Sequence, residues 1–186
     1  MNEVIRTMLD RRSTREFQGV QLKEDELQLL LKAGLSAPSA NNSQPWHVTV
    51  VQDQQILDWI VEKNKEKMRL SDNPDVVKRA NDAKTHNFYH APTVIVFSFD
   101  VTRAYGKSDC SNVATQMALA AQSIGVGSCF VASFMQAFNG EQISLLVEKL
   151  GVPQGYQPFL SLALGYPRGS SPEAKPRKEM AITYLR

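Results

Sequence analysis

Three short segments of the chain concentrate side chains that bind anions or the edges of flat heterocycles. The first is the run Arg11–Arg15 (RRSTR), where three guanidiniums and two hydroxyls stand within five residues. Guanidinium groups suit phosphate and carbonyl oxygens because their forked donors match the geometry of these acceptors. The run therefore predicts an anion-binding site, and a solvated basic turn is the alternative.

The second segment is the amide-rich loop Ala37–Trp46, which carries two asparagines, one glutamine and two prolines. Its small residues allow the backbone to approach a flat ligand, and its amides offer paired donors and acceptors to a heterocycle. An ordinary turn between a helix and a strand is the competing interpretation. The third segment, Lys175–Lys178 (KPRK), could close over a phosphate gripped by Arg11 or be a charged linker.

Hydrophobic periodicity predicts the helices and strands that must position these segments. The final strand follows a polar linker and needs an open sheet edge, which exchange with a second subunit would provide. A flexible loop is expected at 70–74. The class is mixed α and β, with helices covering a sheet. The predicted helices are 1–10, 27–35, 54–67, 76–89, 108–124 and 140–150, and the predicted strands are 46–51, 93–99, 128–131, 159–164 and 181–185.

The composition narrows the classes of protein and of partner. A length of 186 residues fits one domain, predicted to span residues 1–186. A net charge of +2 is too small to indicate nucleic acid or an anionic membrane as a partner. The chain lacks an apolar run long enough for a membrane span, and its first residues do not resemble a signal peptide. We therefore expect a cytoplasmic protein.

The histidines and cysteines do not predict a metal site. His86 and His90 are four residues apart on a predicted helix, but no third ligand accompanies them. We interpret them as surface or interface residues. Cys110 and Cys129 have no paired spacing and are expected to be packing thiols.

Four motifs together, in this order and spacing, resemble the nitroreductase family from about Val4 to Ile182: RRSTR at 11–15, PSANNSQPW at 38–46, LGYP at 164–167 and KPR at 175–177. The resemblance implies an α+β fold whose central sheet has four to five mostly antiparallel or mixed strands flanked by helices. It implies FMN bound at the interface of a homodimer. It also implies that residues 171–186 form an arm whose strand is exchanged with the partner subunit.

The resemblance further implies which residues bind the cofactor, and it implies no catalytic side chain. One subunit would contact the flavin phosphate and pyrimidine edge through Arg11, Arg12, Ser13 and Arg15. The other subunit would contribute Pro38, Ser39, Ala40, Asn42 and Gln44. The backbone of Ala132 and Ser133 would face the central flavin nitrogen, although some family members carry an acidic residue and a glycine there. Lys175 and Arg177 look like the distal phosphate clamp.

The resemblance implies an oxidoreductase that takes hydride from NAD(P)H and reduces nitroaromatic, quinone or similar acceptors by a ping-pong mechanism. Nicotinamide would stack on the flavin, since Gly125-x-Gly127 lacks the third glycine of a dinucleotide fingerprint. Acceptor preference is expected to depend on residues 70–76 and the helix that follows. The alternatives are a specialised flavoenzyme that acts on one metabolite and a module that binds a flavin or phosphate without turnover.

Overall fold

A computed structural model describes residues 1–170, 172–178 and 182–186. Within these ranges the strands form one four-stranded sheet of order β1-β2-β4-β3, and every neighbouring pair is antiparallel. The predicted α+β class and the mostly antiparallel sheet are therefore confirmed. The strands are β1 (Trp46–Val51), β2 (Thr93–Asp100), β3 (Gly127–Val131) and β4 (Tyr156–Gly165).

Six α-helices surround the sheet in the part of the chain that the structure describes. Side chains fix several of their starts: the Asn2 carboxamide accepts from the Ile5 amide, and the Asp53 carboxylate accepts from the Gln55 amide. Two short 3-10 helices cover residues Ala40–Asn42 and Ser133–Ala137. The α-helices are α1 (Glu3–Asp10), α2 (Glu24–Leu35), α3 (Gln54–Arg69), α4 (Pro74–Asn81), α5 (Gly106–Ser123) and α6 (Glu141–Lys149).

The two faces of the sheet bury separate apolar clusters. Ile95 and Phe97 of β2 pack with α2 and α5, whereas Val94 and Val96 pack with α3, α6 and the 3-10 helix at 133–137. Successive strand residues point to opposite faces, so a sheet that is covered on both sides needs the nearly continuous apolar run of β2. Across the described ranges, no helix is both long and apolar enough to cross a membrane.

The predicted helix 76–89 is wrong beyond Asn81. The helix α4 begins at Pro74, ends at Asn81 and is followed by turns up to residue 90. The Asp82 carboxylate accepts from the Lys84 amide, which diverts the backbone from a further helical turn. Tyr89 and His90 then adopt the left-handed region, with φ of 56° and 55°.

The predicted strand of the C-terminal arm, at 181–185, is not tested by the structure of this chain. Of the predicted strand 181–185, Ala181 lies outside the described residues, and residues 182–186 belong to no strand of this chain. Exchange of this segment with a partner therefore stays a prediction. Ser171, Glu179 and Met180 of the arm also lie outside the described residues.

Candidate functional site

The basic run Arg11–Arg15 is fixed against the edge strand β3. The Thr14 amide donates to the Ser128 carbonyl at 2.9 Å, and Ser13 forms a parallel bridge with Ser128. A Cβ atom on Gly127 would lie 2.7 Å from Thr14 Oγ1 and 2.9 Å from Thr14 Cβ. Only glycine at this position therefore admits the close approach of the run to the sheet.

The chain after β4 holds the other end of the run. Phe17 is buried and bridges Pro167, the Gln18 amide donates to the Tyr166 carbonyl at 2.9 Å, and the Arg168 amide donates to the Glu16 carbonyl at 2.9 Å. The extended stretch is thus held at both ends. A cavity of about 460 Å³ lies beside it, lined by residues 13–16, 167–170 and 172.

Positive charge is concentrated at this corner. Burial lowers the pKa of Arg11, and the neighbouring charges of Arg12 and Arg177 lower it further. The charge of Arg177 in the tail thus acts on Arg11, and both Arg177 and Lys175 are exposed. Among the described residues, no carboxylate pairs with Arg11, Arg12, Arg15 or Arg177. Such a cluster suits a dianionic phosphate, and we call these four residues the arginine corner.

The thiol of Cys129 lies near the arginine corner but carries no charge. Burial raises the pKa of Cys129, while Arg15, a hydrogen bond from Ser13 and Arg11 partly oppose that rise. Burial also raises the pKa of Cys110 to about 12. Both thiols are buried and protonated at neutral pH, as expected of packing residues.

The backbone of Ala132 and Ser133 leaves the far end of β3. Ala132 follows the last strand residue, and Ser133 begins the 3-10 helix; both residues are exposed. The buried Asn64 side chain donates to the carbonyls of Phe134 at 2.8 Å and Ile60 at 3.0 Å, which ties this turn to α3. Strand geometry places Ala132 about 13 Å along β3 from Ser128, so both lie on the same sheet edge.

The amide-rich loop is held by the first turns of α5. Both carboxylate oxygens of the buried Asp109 accept from the Ala40 amide at 3.3 Å, and the Asn112 side chain donates to the Pro38 carbonyl at 3.2 Å. The Ser39 hydroxyl accepts from the Gln44 amide at 3.0 Å. The backbone of the loop is strained, because three of its non-glycine residues have left-handed φ. These are Asn41 (53°), Asn42 (51°) and Gln44 (45°), and all three are exposed.

The arginine corner and the amide-rich loop are anchored near opposite ends of α5. The loop is bound at Asp109, in the first turn of α5, and the basic run is bound at Ser128, beyond the last turn. From Asp109 to Ser123 the helix rises by about 20 Å. One chain therefore does not bring the two sets of predicted cofactor ligands together.

Comparison with known proteins decides the family. The sequence model of the Nitroreductase family matches residues 8–166. The chain belongs to the Nitroreductase family. Crystal structures of FMN-bound nitroreductases from Bacteroides fragilis and Desulfitobacterium hafniense superpose with TM-scores of 0.89 and 0.90 at 30% and 28% identity, each covering 100% of both chains. The NADPH-flavin oxidoreductase of Vibrio harveyi is 27% identical over 182 residues, which cover 95% of this chain and 70% of that enzyme. The predicted nitroreductase-like fold is thus confirmed.

Sequence reasoning missed a turn that faces the arginine corner of this nitroreductase. The sequence predicts His86 as a surface or interface residue of a helix, but in this chain it lies in a turn and is 9% exposed, and Nδ1 accepts from the amides of Phe88 and His90 at 3.2 Å each. The rings of His86 and His90 are in contact, with centroids 4.1 Å apart and planes tilted by 38°. Tyr89 of the same turn contacts Arg15. Within the described residues, no cluster of three potential metal ligands forms around these histidines.

The turn gives this nitroreductase a pH-dependent stability. Burial, with a smaller effect from His90, lowers the pKa of His86 to about 4. An unfolded chain protonates its histidine near an ordinary pKa of about 6.5, so the unfolded state takes up the proton first as the pH falls. We expect the stability from neutral His86, about 3 kcal/mol, to be complete above about pH 6.5 and lost progressively towards pH 4.

Urea unfolding at a series of pH values measures this loss. The His86→Asn variant has no titrating group at this position, so its stability should fall less over the same range. Parallel profiles for the two proteins would contradict the assignment to His86.

A second prediction concerns the amide-rich loop. Replacing Asp109 by alanine leaves the Ala40 amide without its acceptor, and we expect the free energy of unfolding to fall by about 1.5 kcal/mol. Asp109→Asn keeps an acceptor oxygen and should lose less than half of that. Urea denaturation of both variants tests this, and equal losses would show that the hydrogen bond to the loop is not the cause.

Proposed function

We propose that this nitroreductase is an FMN-dependent oxidoreductase that takes hydride from NAD(P)H, with the FMN phosphate held in the arginine corner. The observation that carries the proposal is the set of four guanidiniums without a carboxylate partner among the described residues. Their chemistry fits a phosphate that is twice negatively charged. The FMN-bound structural relatives support the same cofactor.

A homodimer completes the proposed site. The anchors of the arginine corner and of the amide-rich loop are separated by about 20 Å of α5 in one chain, so we infer that the loop of a second copy approaches the corner of the first. An apolar surface suited to that contact precedes the corner: Val4, Met8 and Leu9 of α1 are 50% to 60% exposed, and α1 buries none of its residues. Exposed apolar patches of this kind mark interfaces.

Each group has a proposed task at the site. The phosphate is bound by Arg11, Arg12 and Arg177, together with Lys175, which stands two positions before Arg177. Ser13 and Arg15 donate to the pyrimidine edge, and Arg15 leaves a positive charge where electron density accumulates. The backbone of Ala132 and Ser133 positions the central part of the ring. The partner contributes the amide-rich loop, through Pro38, Ser39, Ala40, Asn42 and Gln44.

Bound FMN supplies the hydride-transfer chemistry, and the protein supplies binding, orientation and electrostatics. No side chain of this chain needs to act as nucleophile or obligatory base. We propose that NAD(P)H and an acceptor of the nitroaromatic or quinone class use one space in turn, which gives ping-pong kinetics. The left-handed, exposed amides of the partner loop form a rigid wall of that space.

The visible spectrum of the purified protein tests the proposal. We expect a flavin spectrum, release of FMN on denaturation, and prompt bleaching when NADH or NADPH is added without oxygen. A protein that binds FMN but is bleached by neither nucleotide would be a flavin-binding module or an enzyme with another donor. A protein that stays colourless after incubation with FMN would contradict the proposal, and the arginine corner would then serve another phosphorylated ligand.

A further inference from the structure

Residues 86–91, which we call the His86 turn, fold around one imidazole nitrogen. Nδ1 of His86 accepts from the amides of Phe88 and His90, each at 3.2 Å. Two backbone bonds, Tyr89 to His86 and Ala91 to Phe88, close the turn at 3.0 Å each. The left-handed φ at Tyr89 and His90 is an unfavourable conformation for side chains with a Cβ, so the imidazole acceptor must stabilise it.

The core holds the His86 turn in place. Phe88 is fully buried and packs against Phe134, with ring centroids 5.9 Å apart. The imidazole is buried too. The titratable groups that face it are Asp58, whose Oδ1 lies 4.0 Å from Nε2, and Lys65, both on α3, together with His90 of the turn itself. Because Nδ1 accepts two hydrogen bonds, the imidazole is neutral and carries its proton on Nε2.

Tyr89 reaches from this turn to the arginine corner. The Arg15 Cζ atom lies 5.8 Å from the centroid of the Tyr89 ring, and the neighbouring Tyr89 side chain raises the pKa of Arg15. A carboxylate would hold the guanidinium equally well but would cancel its charge. A phenol orients the guanidinium and leaves the full positive charge available to a ligand.

We infer that His86 and Tyr89 are positioning residues of the flavin site: His86 fixes the left-handed turn, and the Tyr89 side chain orients the Arg15 guanidinium at the flavin edge. The inference rests on the proposed function. It adds to the site two residues that do not touch the phosphate and that act through Arg15.

The first experiment is a double-mutant cycle on FMN affinity, measured by quenching of flavin fluorescence on titration with apoprotein. Tyr89→Phe removes only the hydroxyl and should raise the Kd for FMN about fivefold. In an Arg15→Ala background the same change should leave the Kd unaltered, because the group through which Tyr89 acts is gone. Tyr166→Phe is the matched control, since its hydroxyl bonds Glu26 and its ring packs in the cluster on the opposite face of the sheet.

The second experiment compares two replacements of His86 in the apoprotein by amide hydrogen exchange. His86→Asn can supply an acceptor near the position of Nδ1, whereas His86→Leu cannot. We expect Phe88 and His90 amides to remain protected in the asparagine variant and to exchange at least tenfold faster in the leucine variant. The asparagine variant should also keep an FMN Kd within about twofold of wild type, while the leucine variant matches Tyr89→Phe.

The outcomes separate this inference from the proposed function. If the wild-type protein does not bind FMN, the proposed function and the inference fall together. If it binds FMN with a Kd that Tyr89→Phe leaves unchanged, or that Tyr89→Phe weakens equally with and without Arg15, the inference alone is overturned. Equal exchange rates in the two His86 variants would overturn the part assigned to His86.

Discussion

We expect the Arg11→Ala variant to bind FMN about 100-fold more weakly than the wild-type protein. Arg11 is partly buried, and the neighbouring charges of Arg12 and Arg177 lower its pKa. A bound phosphate relieves the repulsion between these charges, and its oxygens accept hydrogen bonds from the Arg11 guanidinium. Removal of the side chain therefore loses a charge-assisted contact in a partly desolvated place, where such contacts are strong.

Fluorescence titration of the apoprotein with FMN measures the loss. Arg6→Ala is the matched control because it removes the same charge from the exposed side of α1. Arg11→Lys should give an intermediate Kd, since it keeps the charge but loses the forked geometry. If Arg6→Ala weakened FMN binding as much as Arg11→Ala, a general loss of positive charge would explain the effect, and the assignment of Arg11 to the phosphate would be wrong.

The Gly127→Ala variant should lose about 3 kcal/mol of folding free energy together with most of its FMN affinity. The new methyl group would lie within 3.0 Å of three atoms of Thr14, among them Cβ at 2.9 Å, which no side-chain rotation can move away. The basic run must then separate from β3, and the hydrogen bond from the Thr14 amide to the Ser128 carbonyl is lost.

Urea denaturation and FMN titration measure the two losses. Gly19→Ala is the control, because a Cβ there has no atom within 4 Å. Adding Thr14→Gly to Gly127→Ala removes all three clashing atoms and should restore at least half of the FMN affinity. A Gly127→Ala protein as stable as the Gly19→Ala control would contradict the tight seating of the run on β3.

The fold and the types of residue at the site can be predicted from the sequence because both depend on local patterns. The β-branched run at Trp46–Val51 predicts β1 to the residue, and the uninterrupted apolar run of β2 predicts a strand covered on both faces. The basic run and the amide-rich loop were recognised from residue type alone. Both segments have geometry that side chains of these types favour, such as the left-handed asparagines of the loop.

Contacts between distant segments could not be predicted. Arg15 and Tyr89 are 74 positions apart, and the buried Asp109 that holds the amide-rich loop has the sequence context of an ordinary helix residue. Residues 86–89 are predicted from the sequence as the end of a helix that begins at residue 76. The actual conformation of these residues depends on a buried imidazole, and burial of a single histidine leaves no periodic signal.

The most direct test of the shared site uses mixed dimers. One chain carries Arg11→Ala, the other carries Asn42→Ala with Gln44→Ala, and two affinity tags isolate the mixed species. If each site takes its arginine corner from one subunit and its amide-rich loop from the other, one of the two sites collects all substitutions and the other is wild type. We expect the mixed dimer to bind FMN at one site with the wild-type Kd, although both parent homodimers bind it weakly. A mixed dimer that binds FMN as weakly as its parents would mean that each site is built within one chain, and would contradict a site shared between two subunits.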